Sequence, residues 1–132
     1  MEDSSQKKTV LLVEDDRSIR ELYAMAFLNA GLQVIMAEHG EQGLRKALEH
    51  HPDLILLDID MPLMNGHEVF ERIRADAWGQ TVPVIFLTNR SDARDIAHAN
   101  VLSPTDYIVK ANLPVKQVVN KVLSTLGVAQ VR

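Results

Sequence analysis

The sequence predicts an α/β fold, a doubly wound parallel sheet covered by helices on both faces, and three observations carry that prediction. Short, continuously apolar runs recur along the chain, as strands buried on both faces require. Each run is followed by a segment of helical character, so strand and helix alternate. The 132 residues hold no low-complexity segment or linker, which fits one domain of five strand–helix units. For five such units the flavodoxin-like strand order 2-1-3-4-5 is the leading arrangement. The domain is expected over residues 8–127, between a flexible tail at 1–7 and a short tail at 128–132.

The elements follow in order. After the polar start MEDSSQKK, the run TVLLV gives a first strand, with Val10–Val13 buried on both faces. RSIRELYAMAFLNAG then reads as a helix, with Ile19, Leu22, Ala26 and Leu28 roughly along one apolar face and Gly31 as its stop. LQVIMAE (Leu32–Glu38) is the second strand, and EQGLRKALEH is a helix ending before Pro52. LILLD is the third strand, and HEVFERIRA after Gly66 the third helix. VPVIFLT (Val82–Thr88) is the fourth strand, and SDARDIAHA a short fourth helix with Ser91 as N-cap. DYIVK is the fifth strand, and Pro114 suits the first turn of a last helix running to Gly127.

Composition narrows the function. The chain is 46% hydrophobic and 24% charged, enough for an ordinary core. Net charge is −4 and the Lys and Arg residues are scattered, so no nucleic-acid contact is expected. With no cysteine, disulfides, thiol catalysis and Cys-based zinc sites drop out. No apolar run nears the roughly 20 residues of a membrane span, so a cytoplasmic protein without membrane contact is expected.

In an open parallel sheet, ligands bind beyond the carboxyl ends of the strands, where strand order reverses. Strand one ends in Glu14 and Asp15, strand three in Asp58, strand four in Thr88 and strand five in Lys110. The order 2-1-3-4-5 makes these four strands consecutive neighbours. Three carboxylates, a hydroxyl and an ammonium should therefore meet in one crevice. Three close carboxylates repel unless a cation shares the site. Hard oxygen ligands suit Mg²⁺, with Mn²⁺ as an alternative. A bound divalent ion would keep Asp58 ionised, while Lys110 and Thr88 could meet phosphate oxygens. Such a set can support phosphoryl transfer to a carboxylate.

LLVEDD, LLDIDMPLMNG, VIFLT and DYIVK resemble, in order and spacing, the receiver domain of two-component response regulators, over about Val10 to Leu126. The resemblance implies that Asp58 accepts a phosphoryl group from a sensor histidine kinase or phosphotransfer protein. It implies that Glu14 and Asp15 hold Mg²⁺ together with Asp58, and that Asp60 lends a backbone carbonyl. Thr88 would be the switch hydroxyl, Lys110 the phosphate-contacting lysine, and Tyr107 the aromatic that changes rotamer. The surface formed by the fourth helix, fifth strand and fifth helix would be read by a downstream protein. Such a protein catalyses only its own phosphorylation and dephosphorylation, and with no effector domain after the last helix a stand-alone receiver is expected. Three positions depart from the family pattern: Ala111 follows the lysine where proline is usual, and Ser103-Pro104 replaces a Gly-Ala pair. Asp60 and Arg90 occupy positions that tune the phosphoryl lifetime, and are expected to pair and screen the attacking water.

Blander readings and rival functions stand beside this one. Glu14 and Asp15 could simply cap the first helix, and Tyr107 could be an ordinary half-buried strand residue. Asp58-Ile59-Asp60 also resembles the nucleophile motif of haloacid-dehalogenase-type phosphatases. That motif normally follows the first strand of a larger domain, and Pro62 occupies its Thr or Val position here. A flavodoxin-like small-molecule binder would want a Ser/Thr/Gly-rich loop after strand one, which is missing. A phosphorylation-independent interaction module would have no need of the complete acidic and basic set.

Overall fold

A computed structural model describes residues 7–88, 106–110 and 113–128. Five strands, β1 (Thr9–Val13), β2 (Gln33–Ala37), β3 (Leu54–Asp58), β4 (Val84–Thr88) and β5 (Asp106–Val109), form one sheet in the order β2-β1-β3-β4-β5. All neighbours are parallel. Helices α1 (Arg17–Asn29), α2 (Gly40–His50) and α3 (Gly66–Ala75) and a C-terminal helix (Val115–Leu126) cover the sheet. The flavodoxin-like order expected from the alternation is the observed one. The expected fourth helix, Arg90, Ser103, Pro104 and Ala111 lie outside the described residues, as does the side chain of Tyr107.

The apolar runs earn their composition by facing two cores. Val10 and Leu12 of β1, Leu54 and Leu56 of β3, and Ile85 and Leu87 of β4 pack with Tyr23 and Phe27 of α1 and Val118 and Val122 of the C-terminal helix. The alternate residues, Leu11, Val13, Ile55, Leu57, Val84 and Phe86, pack on the other side with Ala47, Val69, Phe70 and Ile73 of α2 and α3. Because side chains alternate along a strand, only an unbroken apolar run can fill both faces.

Helix α1 corrects the expected face in part: Ile19 and Ala26 do pack against the core, partly buried. Its buried residues are Arg20, Tyr23, Ala24 and Phe27, whereas Leu22 and Leu28 are more than half exposed. The stripe at i, i+3, i+4 and i+7 starts on an arginine, so the two leucines drew the face toward the wrong side. Asp16 caps this helix, its Oδ1 accepting from Ile19 N–H at 3.1 Å. Gly31, at φ +90°, lets the chain leave the helix while Leu32 N–H reaches back to Phe27 C=O at 3.1 Å. Pro114 proves to be the N-cap of the C-terminal helix, one place before its first turn, and Gly127 at φ +74° closes it. No described helix is long and apolar enough to cross a membrane.

The turn from β3 to α3 holds one strained residue. Leu63 has φ +66° with its side chain fully exposed. A left-handed backbone costs an L-residue about 1–2 kcal/mol, which glycine does not bear. Leu63→Gly should therefore raise unfolding stability in urea by about 1 kcal/mol, part of the gain being lost to glycine's greater unfolded entropy. A loss of stability would mean that the exposed leucine side chain makes a net contribution to the fold.

Candidate functional site

Strand parity decides which polar residues meet. The register pairs Val13 with Leu57, so Glu14 and Asp58 lie one step beyond, at neighbouring strand ends. Both continue the even-numbered series that faces α1 and the C-terminal helix, as does Lys110, two residues past Ile108. The three side chains meet. Lys110 Nζ donates to Glu14 Oε1 at 2.5 Å and lies 3.5 Å from Asp58 Oδ2. Glu14 and Asp58 are buried, while Asp15 is exposed. One oxygen from each of Glu14, Asp15 and Asp58 can be chosen so that all lie within 4.8 Å of one another.

The electrostatics explain what such a cluster needs. Burial, together with hydrogen bonding and repulsion from Glu14, pushes the Asp58 carboxyl up to about 8. Hydrogen bonding from the Asp60 N–H, at 2.8 Å to Oδ1, and the Lys110 charge oppose that rise without cancelling it. Burial alone would lower the Lys110 ammonium, but the Glu14 hydrogen bond and the charges of Asp58 and Glu14 outweigh it and raise it. One ammonium thus serves two buried carboxylates, with a third carboxylate at the rim. The donor set fits a hard divalent cation: all-oxygen, clustered, and open to water on the Asp15 side.

Thr88 belongs to the opposite strand parity, following Val84 and Phe86. Its buried Oγ1 donates to Asp60 Oδ2 at 2.7 Å. The expected partner of Asp60, Arg90, lies outside the described residues. Sequence reasoning placed the threonine and aspartate at one site but did not foresee that they bond to each other.

The helix-capping alternative for Glu14 and Asp15 is set aside by the geometry, since Asp16 does that work. Glu14 instead accepts from Asp16 N–H at 3.1 Å through Oε2 while Oε1 meets Lys110. One participant escaped the sequence reading altogether. Arg20, 9% exposed, donates from Nη1 to the Glu14 carbonyl at 2.9 Å. The available signal was an arginine in phase with Tyr23 and Phe27, at the spacing of a buried helix stripe.

Comparison with known proteins places this geometry in context. The family described as the response regulator receiver domain matches residues 10–122. Transcriptional regulatory protein AfsQ1 of Streptomyces coelicolor is 38% identical over 102 residues, 77% of this chain and 44% of that protein. The chain spans about half the length of the curated relatives it matches. Among solved structures, the chemotaxis protein CheY4 of Vibrio cholerae superimposes with a TM-score of 0.83 at 27% identity, covering 91% of this chain and 98% of that one. A putative response regulator from Chloroflexus aurantiacus gives a TM-score of 0.85 at 25% identity, covering 92% and 99%.

Proposed function

This chain belongs to the response regulator receiver domain family, a signalling module rather than a conventional enzyme, and from that premise we propose that Asp58 is its phosphoryl acceptor. The observation that carries the reading is the buried Asp58 carboxylate, clustered with Glu14 and Asp15 and sharing the Lys110 ammonium with Glu14 at the carboxyl edge of the sheet. In this reading a carboxylate oxygen of Asp58 attacks the phosphorus of a phosphohistidine on a histidine kinase or phosphotransfer protein. An O–P bond forms, the P–N bond breaks, and the departing ring nitrogen keeps the electron pair and takes up a proton from water.

Glu14, Asp15, Asp58 and the Asp60 carbonyl would hold Mg²⁺, which supplies charge neutralisation at the transferring phosphoryl group. The chain's own residues do the rest. Lys110 keeps Asp58 from full protonation and offers its ammonium to a phosphoryl oxygen. The Asp60 N–H holds Oδ1 of Asp58, leaving Oδ2, the oxygen nearer Lys110, as the attacking atom. Thr88 must leave Asp60 to reach a phosphoryl oxygen, so its hydroxyl can register the modification. Asp60 with Arg90 would then tune hydrolysis, and Tyr107 would follow Thr88 as the rotamer switch. A downstream protein would read the state on the surface of the fourth helix, β5 and the C-terminal helix.

The test is direct. Incubation with Mg²⁺ and a small phosphodonor should add one phosphoryl group to Asp58, located by mass spectrometry after borohydride trapping. Asp58→Asn and chelation of Mg²⁺ should each remove at least about 100-fold of the modification rate. Unchanged labelling of Asp58→Asn would defeat the assignment, and sustained turnover of phosphomonoesters would favour the phosphatase alternative.

A further inference from the structure

We propose that Arg20 is a positioning residue for the acidic pair, holding the backbone of Glu14 and Asp15 so that their carboxylates are preset to receive a divalent cation. The inference rests on the reading of this cluster as a cation-dependent phosphoryl site and extends it to a residue outside the cluster.

Arg20 stands on the inner face of α1, where an arginine would be costly without partners. Its partners are backbone carbonyls. Nη1 donates to Glu14 C=O at 2.9 Å and reaches Asp15 C=O at 3.5 Å. Nη2 lies 3.8 Å from Glu38 Oε1, just past β2. Glu14 N–H donates to Ala37 C=O at 3.1 Å, so Glu14 is held on both its amide and its carbonyl side. The guanidinium thus straps the loop after β1 to the loop after β2, across the two strand ends.

Two cations therefore act on the acidic cluster from different sides. Lys110 engages carboxylate oxygens of Glu14 and Asp58, where a metal ion or phosphoryl group would compete with it. Arg20 engages the main chain, so its contacts need not break when those oxygens change partners. Asp15 is exposed, and apart from this anchor its peptide is held by the start of α1 and by the Asp16 N–H bond to Glu14 Oε2, an oxygen a cation would also claim. A planar fork can bridge two carbonyls and a carboxylate at once; a lysine ammonium on a flexible stem cannot hold all three in fixed geometry.

The inference is tested on the full chain with Arg20→Lys and Arg20→Gln. Mg²⁺ binding is followed by calorimetry, Mn²⁺ binding by electron paramagnetic resonance, and melting is measured in chelator. Arg20→Lys should melt near the parent protein yet bind Mg²⁺ about threefold to tenfold more weakly, and Arg20→Gln about 10- to 100-fold more weakly, the range seen when groups supporting metal ligands are removed. Saturating Mg²⁺ should then recover most of the phosphorylation rate. Parent-like affinity in Arg20→Lys overturns the inference, whatever the melting temperature; if Arg20→Gln fails to fold, Arg20→Lys decides alone. Should the parent chain itself bind no Mg²⁺ at millimolar concentration, the site reading falls, and the role of Arg20 with it.

Discussion

Asp58→Asn is expected to stabilise the cation-free protein and to abolish a fall in stability between about pH 4 and pH 8. The folded carboxyl is pushed up to about 8 from an ordinary value of 3.8. Between those values the folded chain retains a proton that the unfolded chain has released. The folded state then binds more protons, so unfolding becomes easier as pH rises, and the loss is complete above pH 8. This is the reverse of a salt-bridged surface aspartate, which gains stability over its own window as pH rises. An amide at position 58 can still accept from Asp60 N–H but has no charge to bury. The measurement is the difference in melting temperature between parent and variant across pH, which cancels contributions common to both. Parallel curves would show that Asp58 titrates normally.

Mg²⁺ should act on the same group with the opposite sign. A cation stabilises the carboxylate that the proton neutralises, so the two ligands compete. Lowering the pH from 8 to 6 should weaken Mg²⁺ binding by up to roughly 100-fold, one decade per pH unit below the Asp58 value. The melting-temperature gain from Mg²⁺ should accordingly shrink as the solution is acidified. A pH-independent gain would place the ion away from Asp58.

The second large effect belongs to Gly66→Ala. Gly66 opens α3 directly after Asn65, whose Oδ1 caps the helix through Glu68 N–H at 3.1 Å. A Cβ at position 66 would lie 2.6 Å from the Asp58 carbonyl oxygen and 2.7 Å from Ile59 Cα. Those atoms are main chain at the end of β3 and cannot rotate aside. Either α3 shifts outward or the Asp58 peptide moves, and with two main-chain contacts the cost should reach about 3 kcal/mol, the upper end of the overpacking range. For a chain of this size that is a melting-temperature drop of roughly 10 °C. Gly31→Ala is the control: it carries a positive φ but meets nothing within 4 Å, so it should cost only about 1–2 kcal/mol and spare phosphorylation. Equal destabilisation by the two substitutions would remove steric contact at Asp58 as the cause.

Much of this molecule is legible along the chain. TVLLV, LILLD and VIFLT are strands because a parallel sheet buried on both faces asks for uninterrupted apolar residues, a demand local enough to see in five letters. Glu14, Asp58, Thr88 and Lys110 announced themselves by closing those runs with polar groups. Helix α1 was less transparent. Leu22 and Leu28 read as core, yet the sheet receives Tyr23 and Phe27, and Arg20 with them. Apolar periodicity defines a stripe only when competing residues are polar, and α1 is apolar on more than one side.

The sequence by itself therefore determined the fold, the strand order and the edge of the sheet at which the polar residues gather, because those follow from local periodicity and from the rules of strand connection. Only the tertiary structure decided which groups touch. Strand parity put Lys110 on Glu14 and Asp58, and Thr88 on Asp60. The folded loop put Arg20 beneath the acidic pair. The physical reason is that every residue presents the same backbone carbonyl. An arginine whose partners are carbonyls leaves no matching letter elsewhere in the chain, and its role appears only when the loop is in place.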